Sequence, residues 1–465
     1  MPMLRVDRAR AAREVGATVR LALPLIAAQL AAVGMNVVDA MLSGHLGAHT
    51  QAAVTTGAGV WSLAIITAIG TMMAVPPSVA QLDGAGRRHE VGALFRQALW
   101  IAAGLGVLLW LGVRSAAPLL DVIGVVPTLR VDVVAFLHAI GWGAPALAAF
   151  FALRGLSEGL SLTRPSMYFS FGGLLVLAPL GYVLMYGKLG VAPMGARGSG
   201  IATAIVLWLE MLGFATYVLR HRNYRTLGLL ERFDWPRPRV IGELLGIGLP
   251  MAVTLLMEGG LFVAVALAIA TLGEAVTAAH QIALNVATVA FMVPLGLALA
   301  ITVRVGHAVG RGDGDGVRYA GYCGIALALA AQFVSCGLML GVPHGIAALY
   351  THDAGVIALA TQLLVLAGLF QFSDGIQVAS NGALRGLKDT RVPMLITGFA
   401  YWGVGMPVGG WLAFGAGYGA RGMWMGLVAG LTVAALLLFA RFRRLVHGGR
   451  WRAAPAVPGD ASEAA

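Results

Sequence analysis

Four carboxylates stand where charge is hard to hold. Asp39, Glu210, Glu258 and Asp374 each interrupt an apolar run long enough to cross a bilayer, and an ionised group at that depth costs several kcal/mol unless it is paired or hydrated. Asp39 follows Asn36 by one turn on the same helical face, an arrangement suited to a proton or a cationic molecule; the plainer reading is an acid near the end of its span that reaches water. Glu258 stands beside Gly259 and Gly260, where missing side chains let another helix come close. Asp374 has Phe370 and Gln371 four and three positions earlier, on its own face. From different helices of one half, these two acids can converge. Neighbouring carboxylates repel when both are ionised, so one binds a proton or a cation is recruited, and their hard oxygens suit an alkali ion. Hydrogen bonding to helix backbones is the structural alternative. Glu210, within Leu207-Trp208-Leu209-Glu210-Met211, either faces a cavity of the first half or serves as a structural partner or headgroup contact.

The elements that must position these acids follow from composition. The chain has 465 residues, 58% hydrophobic and 11% charged, with mean hydropathy +0.82; a globular chain carries roughly 25% charged residues. Apolar runs near 20 residues recur throughout, each matching about 30 Å of hydrocarbon as a helix. Twelve spans are predicted, at 16–43, 51–80, 92–113, 131–155, 165–187 and 197–219, then 240–270, 275–304, 317–342, 355–384, 392–414 and 419–440. The fold class is therefore all-α integral membrane, with a six-helix lobe over 1–219, a basic linker over 220–239, a second six-helix lobe over 240–440 and a tail over 441–465.

Charge sets the topology. Of the 32 Lys and Arg, 27 fall on the side holding both termini, and only Arg114, Arg130, Lys188, Arg197 and Arg421 on the other. Cations in short loops mark the cytoplasmic side, so both termini are expected there. Because the +11 net charge is spread over these short loops, nucleic acid is not an expected partner. Arg154 and Arg385 are read as interfacial anchors of this kind. Cys323 and Cys336 lie on one predicted helix, about 20 Å apart by helical rise, and are read as packing residues. No Gly-Lys-Ser/Thr loop occurs, so no nucleotide is expected.

The halves repeat at a spacing of about 226 residues. Leu23-Pro24 matches Leu249-Pro250, Gly34 matches Gly260, Leu46-Gly47 matches Leu272-Gly273, and Gly70 matches Gly296. Ala-Leu-Arg-Gly occurs at 152–155 and 383–386, and Gly-Ala-Arg-Gly at 195–198 and 419–422. Six spans per copy is even, so both copies enter the membrane in the same direction, with a substrate path between them.

The ordered motifs resemble the multidrug and toxic compound extrusion (MATE) family, in its NorM-like bacterial branch. Met35 to Gly44 is similar to that family's opening motif. So are Leu249-Pro250 followed by Glu258-Gly259 and Phe262, then Ala278-Ala279-His280-Gln281-Ile282 with Asn285, Arg304-Val305-Gly306, and Gln371 to Asp374 before Leu384-Arg385-Gly386-Leu387-Lys388-Asp389-Thr390. The resemblance covers residues 15–445. It implies a V-shaped, two-lobed fold in the bacterial inner membrane that exports cationic amphipathic compounds against H+ or Na+. Glu258, Asp374 and Asp39 are then the cation-coupling candidates, with Glu258 and Asp374 as Na+ ligands if sodium is used. Substrate-binding candidates are Asp39, Asn36, Gln281, Asn285, Phe370, Gln371, Met257, Phe291 and Glu210, with Met292 in the same adaptable wall. Relatives carry a tyrosine where this chain has Phe370, so one hydroxyl is missing from the expected cation site. They also carry two asparagines that are absent from Leu177-Ala178-Pro179-Leu180-Gly181-Tyr182.

His280 either lines the turn between the seventh and eighth spans or assists the cation site, and is not read as a metal ligand; Asp353 and Glu274 are read as solvated loop acids. A monomer without cofactor is expected. The rival readings are a lipid-linked oligosaccharide flippase, which would call for arginines inside the spans, and an integral-membrane lipid-modifying enzyme, for which no Asp-rich metal motif or His-Asp arrangement occurs. A passive channel is the remaining option.

Overall fold

The structure, a computed structural model, describes residues 7–229, 231 and 233–449; the tail from Arg450 onward, with Leu230 and Arg232 of the linker, lies outside the described residues. Among the described residues twelve helices are long and apolar enough to span a membrane. In the first half these are α1 (Arg8–His45), α2 (Ala48–Gly84), α3 (Arg88–Arg114), α4 (Pro127–Gly159), α5 (Arg164–Tyr186) and α6 (Gly195–Arg220). In the second they are α7 (Pro238–Ala270), α8 (Glu274–Gly310), α9 (Gly314–Gly341), α10 (Ala354–Gly386), α11 (Arg391–Gly415) and α12 (Gly419–His447). The span count and order are those read from hydropathy. Two ends differ. α1 starts at Arg8 rather than 16 because the Asp7 carboxylate accepts from the backbone N–H groups of Ala9 and Arg10, satisfying donors the first turn leaves free. α12 continues to His447, so residues 441–447 belong to the helix and not to the tail.

The linker is pinned rather than loose. It forms a 3-10 turn over Arg222–Leu227, and Arg96 of α3 bonds the Asp234 carboxylate at 2.6 Å and the Gly228 carbonyl at 2.6 Å. Tyr224 is buried and donates to the Ser157 hydroxyl at 2.9 Å; burial pushes its own hydroxyl pKa up to about 12. The linker thus ties α3 and α4 to the start of α7.

Helix packing reproduces the repeat. Gly70 of α2 receives the α7 backbone, and a Cβ built there would lie 2.3 Å from Ala252 Cα. At the equivalent place Gly296 of α8 receives α1, with Ile26 Cγ1 at 2.4 Å. Adding 226 to 70 and 26 gives 296 and 252, so one contact is the image of the other. The same holds nearer the terminal face, meaning the face that carries both termini: Gly84 meets the His307 carbonyl, and Gly310 meets the Gln81 carbonyl. Absent side chains at these seats let backbones approach closely.

These seats join the lobes across their terminal halves. There one hydrophobic cluster unites Ala22 and Leu25 of α1 with α8, α9, α10 and α12, while another takes Leu244 and Ile247 of α7 in among α2, α3, α4 and α6. Toward the far face each lobe instead keeps its own cluster. Among the described residues two ion pairs cross the joined half, Glu14 to Arg304 at 2.6 Å and Arg10 to Asp313 at 2.9 Å, and the His307 imidazole meets the Asp83 carboxylate at 3.1 Å.

Candidate functional site: a cavity between the lobes

Where α7, α8 and α10 face α2 and α4, a cavity of about 500 Å3 remains, within the range of small-molecule sites. Its richest wall is α10. Phe370, Asp374, Gln377, Asn381 and Arg385 all line it, at spacings of four, three, four and four, which is one helical face. Between them Gly382 sits on the Ala298 backbone of α8 and Gly375 on Gln332 of α9, so the polar stripe is held at a fixed distance.

Two acids meet here. Asp374 is 2% exposed and its Oδ2 has no protein hydrogen-bond partner. Glu258 enters the same cavity from α7, within electrostatic reach of Asp374. Tyr401 of α11 is fully buried outside the cavity lining, and among the described residues its hydroxyl has no hydrogen-bond partner. It lies in a π-helical stretch, Phe399–Gly405, a widened turn of the kind that recurs at functional sites. Gln377 Oε1 and Asn381 Oδ1 are also buried without protein partners. Groups of this sort are rarely left bare in an interior; together they form an oxygen-rich pocket suited to a proton, a hydrated cation or a cationic nitrogen.

An aromatic face adjoins the acids. Phe370 stands edge-on to Trp424, centroids 6.0 Å apart, and to Phe262 at 6.2 Å. Trp424 Nε1 donates to His280 Nδ1 at 3.2 Å, which fixes the indole. Phe291 and Met292 of α8 complete an apolar wall. Aromatic faces beside carboxylates favour organic cations.

The remaining sequence candidates lie elsewhere. Asp39 sits in the N-terminal lobe, its Oδ1 accepting from the Ser199 hydroxyl at 3.1 Å, and neither it nor the exposed Asn36 lines the cavity. Gln371 turns into its own lobe, where Gln332 Nε2 donates to its Oε1 at 2.6 Å. Met257 turns to α11, its sulfur against Gly398 and its carbonyl accepting from Trp402 Nε1 at 3.2 Å. Gln281 and Asn285 are exposed on α8, two turns and one turn before the cavity residue Thr288 and on its face. Glu210 is buried in the N-terminal lobe against Gly173, and not at a headgroup position. Asp353 caps α10, accepting from the N–H groups of Gly355 and Val356, rather than standing as a free loop acid, while Glu274 is exposed at the start of α8.

Comparison with known proteins settles the family. The MatE family model matches residues 24–183 and 250–411, one block in each lobe. The chain is 51% identical over 435 residues to the probable multidrug resistance protein NorM of Xanthomonas campestris pv. campestris, covering 94% of this chain and 95% of that one. It is 43% identical to the multidrug resistance protein PmpM of Pseudomonas aeruginosa, covering 96% and 94%. The chain belongs to the MatE family. The fold agrees: a multidrug resistance MATE family transporter of the MOP superfamily, solved in an outward-facing conformation, superposes with TM-score 0.87 at 19% identity, covering 94% of this chain and 97% of that one.

Within this MatE chain, two residues depart most from their sequence reading. Arg154 and Arg385, expected at the membrane interface, are 8% and 3% exposed and line the cavity floor. Arg154 Nε bonds Glu158 at 2.6 Å and its Nη2 bonds Gln29 at 2.9 Å. Arg385 has only the Met73 thioether, at 3.4 Å. Both arginines lie four residues or fewer from a predicted helix end, so a loop-side count swept them up; only the packing of α4 and α10 turns them inward. Tyr401 and Glu158 were missed for the same reason. A Tyr within an apolar run and a Glu four residues after an Arg carry no signal of which way they face.

Proposed function

We propose that this protein is an ion-coupled exporter of cationic, amphipathic small molecules, resident in the bacterial inner membrane with both termini cytoplasmic. Multidrug resistance names on relatives at 51% and 43% identity support the cargo class. The bias of Lys and Arg toward the terminal side supports the orientation. With that orientation the joined half of the lobes is cytoplasmic, and alternating access is the rocking of one six-helix lobe against the other about the glycine seats.

The observation that carries the reading is the meeting of Glu258 and Asp374 in a cavity that also presents Phe370, Trp424, Phe291 and Met292. When the acids are ionised, an organic cation gains a charge partner and aromatic faces. When H+ or Na+ enters from outside, the same charge is neutralised and the cargo leaves. By linkage the cargo lowers affinity for the ion by the same factor. Should sodium be the coupling ion, the Glu258 and Asp374 carboxylates, with the Gln377 amide oxygen one turn after Asp374, supply ligands of the right hardness. The same set accommodates a shared proton.

The test is efflux of a fluorescent organic cation from proteoliposomes, energised separately by a proton gradient and by sodium, with Glu258→Gln and Asp374→Asn beside the wild type. Coupled transport is expected to be lost in both variants. Unchanged gradient-driven transport in both would overturn the assignment, and the two energisation arms identify the ion.

A further inference from the structure

The Ala-Leu-Arg-Gly tetrapeptide gives each lobe one arginine on the cavity floor, yet the two are treated differently. Arg154 has an acid four residues on, Glu158, and pairs with it. Arg385 also has an acid four residues on, Asp389, but that carboxylate is taken by Arg441 at 2.9 Å. Among the described residues Arg385 makes no ion pair. Its Nε has no hydrogen-bond partner and its Nη1 meets only a thioether. Glu158, which also lines the cavity, is already paired with Arg154 at 2.6 Å. The floor therefore holds two guanidinium groups and one carboxylate, a net positive charge in a buried setting, beneath a net negative acid pair.

From this we infer that Arg385 is a substrate subsite for a carboxylate, so that the cavity accepts zwitterions whose cationic end lies at Glu258 and Asp374 and whose anionic end lies at Arg385. Asp374 and Arg385 are eleven residues apart on α10, about 16 Å of rise. The long Arg385 side chain leans back toward the N-terminal end of its helix, which brings the two charges to a separation on the order of 10 Å. That matches a drug-sized aromatic molecule carrying an amine at one end and a carboxylate at the other. A planar guanidinium with free donors is the side chain best shaped to grip a carboxylate.

This inference rests on the transport reading above, and its test separates the two. Two probes are used, a rhodamine bearing a free benzoate carboxylate and its methyl ester, which share size and cationic ring. Binding to the purified protein in nanodiscs and efflux from proteoliposomes are measured for the wild type, Arg385→Gln, Arg385→Lys and Arg154→Gln. Arg385→Gln is expected to weaken the free acid ~10-fold, the worth of a buried charge-assisted hydrogen bond, and to leave the ester within about two-fold. Arg385→Lys recovers part of the acid's affinity, and Arg154→Gln does not discriminate between the probes. In the wild type, protonating the benzoate weakens the acid relative to the ester at the same pH, a readout that needs no variant. An equal loss of both probes in Arg385→Gln, or no loss of either, overturns the subsite, as does a wild type that binds the ester and ignores the acid. A wild type that neither binds nor exports either probe overturns the transport reading itself.

Discussion

In the N-terminal lobe Asp39 takes a hydrogen bond from Ser199 at 3.1 Å, and Glu210 packs against Gly173. In the C-terminal lobe Glu258 and Asp374 come from different helices into one cavity, with orphan amide oxygens below. The backbones that carry these residues are copies, as the matched seats at Gly70 and Gly296 show. The acids are not copies. Adding the repeat spacing to Asp39 gives Val265, and subtracting it from Glu258 gives Ala32. The scaffold that lets the lobes rock has kept its symmetry, while charge has been concentrated on one side. Rocking needs two equivalent hinges; ion coupling needs only one site where cation and cargo compete.

That contrast gives the largest expected effect. Asp374→Asn should reduce gradient-driven export by ~100-fold or more, since it removes a charge both ligands use, whereas Asp39→Asn should cost ~10-fold or less because the carboxamide still accepts from Ser199. Gradient-driven efflux and gradient-independent cargo exchange, measured side by side, check this. If Asp39→Asn uncouples transport and Asp374→Asn does not, the roles of the lobes are reversed.

The hinges come next. An alanine at Gly70 would put its Cβ 2.3 Å from Ala252 Cα, a backbone atom that cannot swing aside, whereas at Gly296 the nearest atom belongs to the Ile26 side chain, at 2.4 Å. Both substitutions should push the lobes apart on the terminal side, with Gly70→Ala the stronger. Thiol labelling of single cysteines placed near Gly84 and Gly310 should rise several-fold for Gly70→Ala and less for Gly296→Ala. Equal labelling in both would mean that the two seats are softer than their backbone contacts imply.

A smaller shift is expected at the charged contacts across that closure. Glu14 and Arg304 are about one-sixth and one-fifth exposed, so their pair keeps most of its strength. Glu14→Gln should cost about 1–2 kcal/mol of the closed state, roughly ten-fold in the conformational equilibrium, read as a changed distance distribution between spin labels on α1 and α8. The repeat offers no second copy of this pair, because position 240 is Val and position 78 is Ser. The closure is therefore symmetric in its packing and asymmetric in its charge.

Much of this organisation can be read from residue order alone, for a physical reason. Hydropathy periods long enough to cross lipid admit only a helix, so the twelve spans and their parallel repeat follow directly. Glu258 and Asp374 announce themselves because acids at that depth are rare. What stays hidden is helix rotation. Arg385 and Arg154 read as interfacial cations, since their distance from a helix end is visible and the face they occupy is not. Met257 and Gln371 fail the same way, each beside a cavity residue in sequence and turned from the cavity by one helical step, about 100°. Tyr401 is buried in a π-helical turn that no local pattern signals.

Glu210 sharpens the comparison from the other side and carries the smallest expected effect. It is buried like Asp374, so burial alone does not separate the two. Their surroundings do. Glu210 Oε1 lies 2.0 Å from where a Cβ on Gly173 would be, so the helix beside it has been hollowed to admit the carboxyl group; the charge within its reach is Arg154, which Glu158 already holds. Glu210 does not line the cavity between the lobes. Glu210→Gln preserves shape and removes the acid. It should leave the export rate and the melting temperature nearly unchanged, the rate within about three-fold, because the carboxamide fills the space that Gly173 leaves for the carboxyl group. A loss approaching that of Asp374→Asn would show that the N-terminal lobe holds a second coupling acid, and that the division of labour between the lobes is less sharp than their cavities suggest.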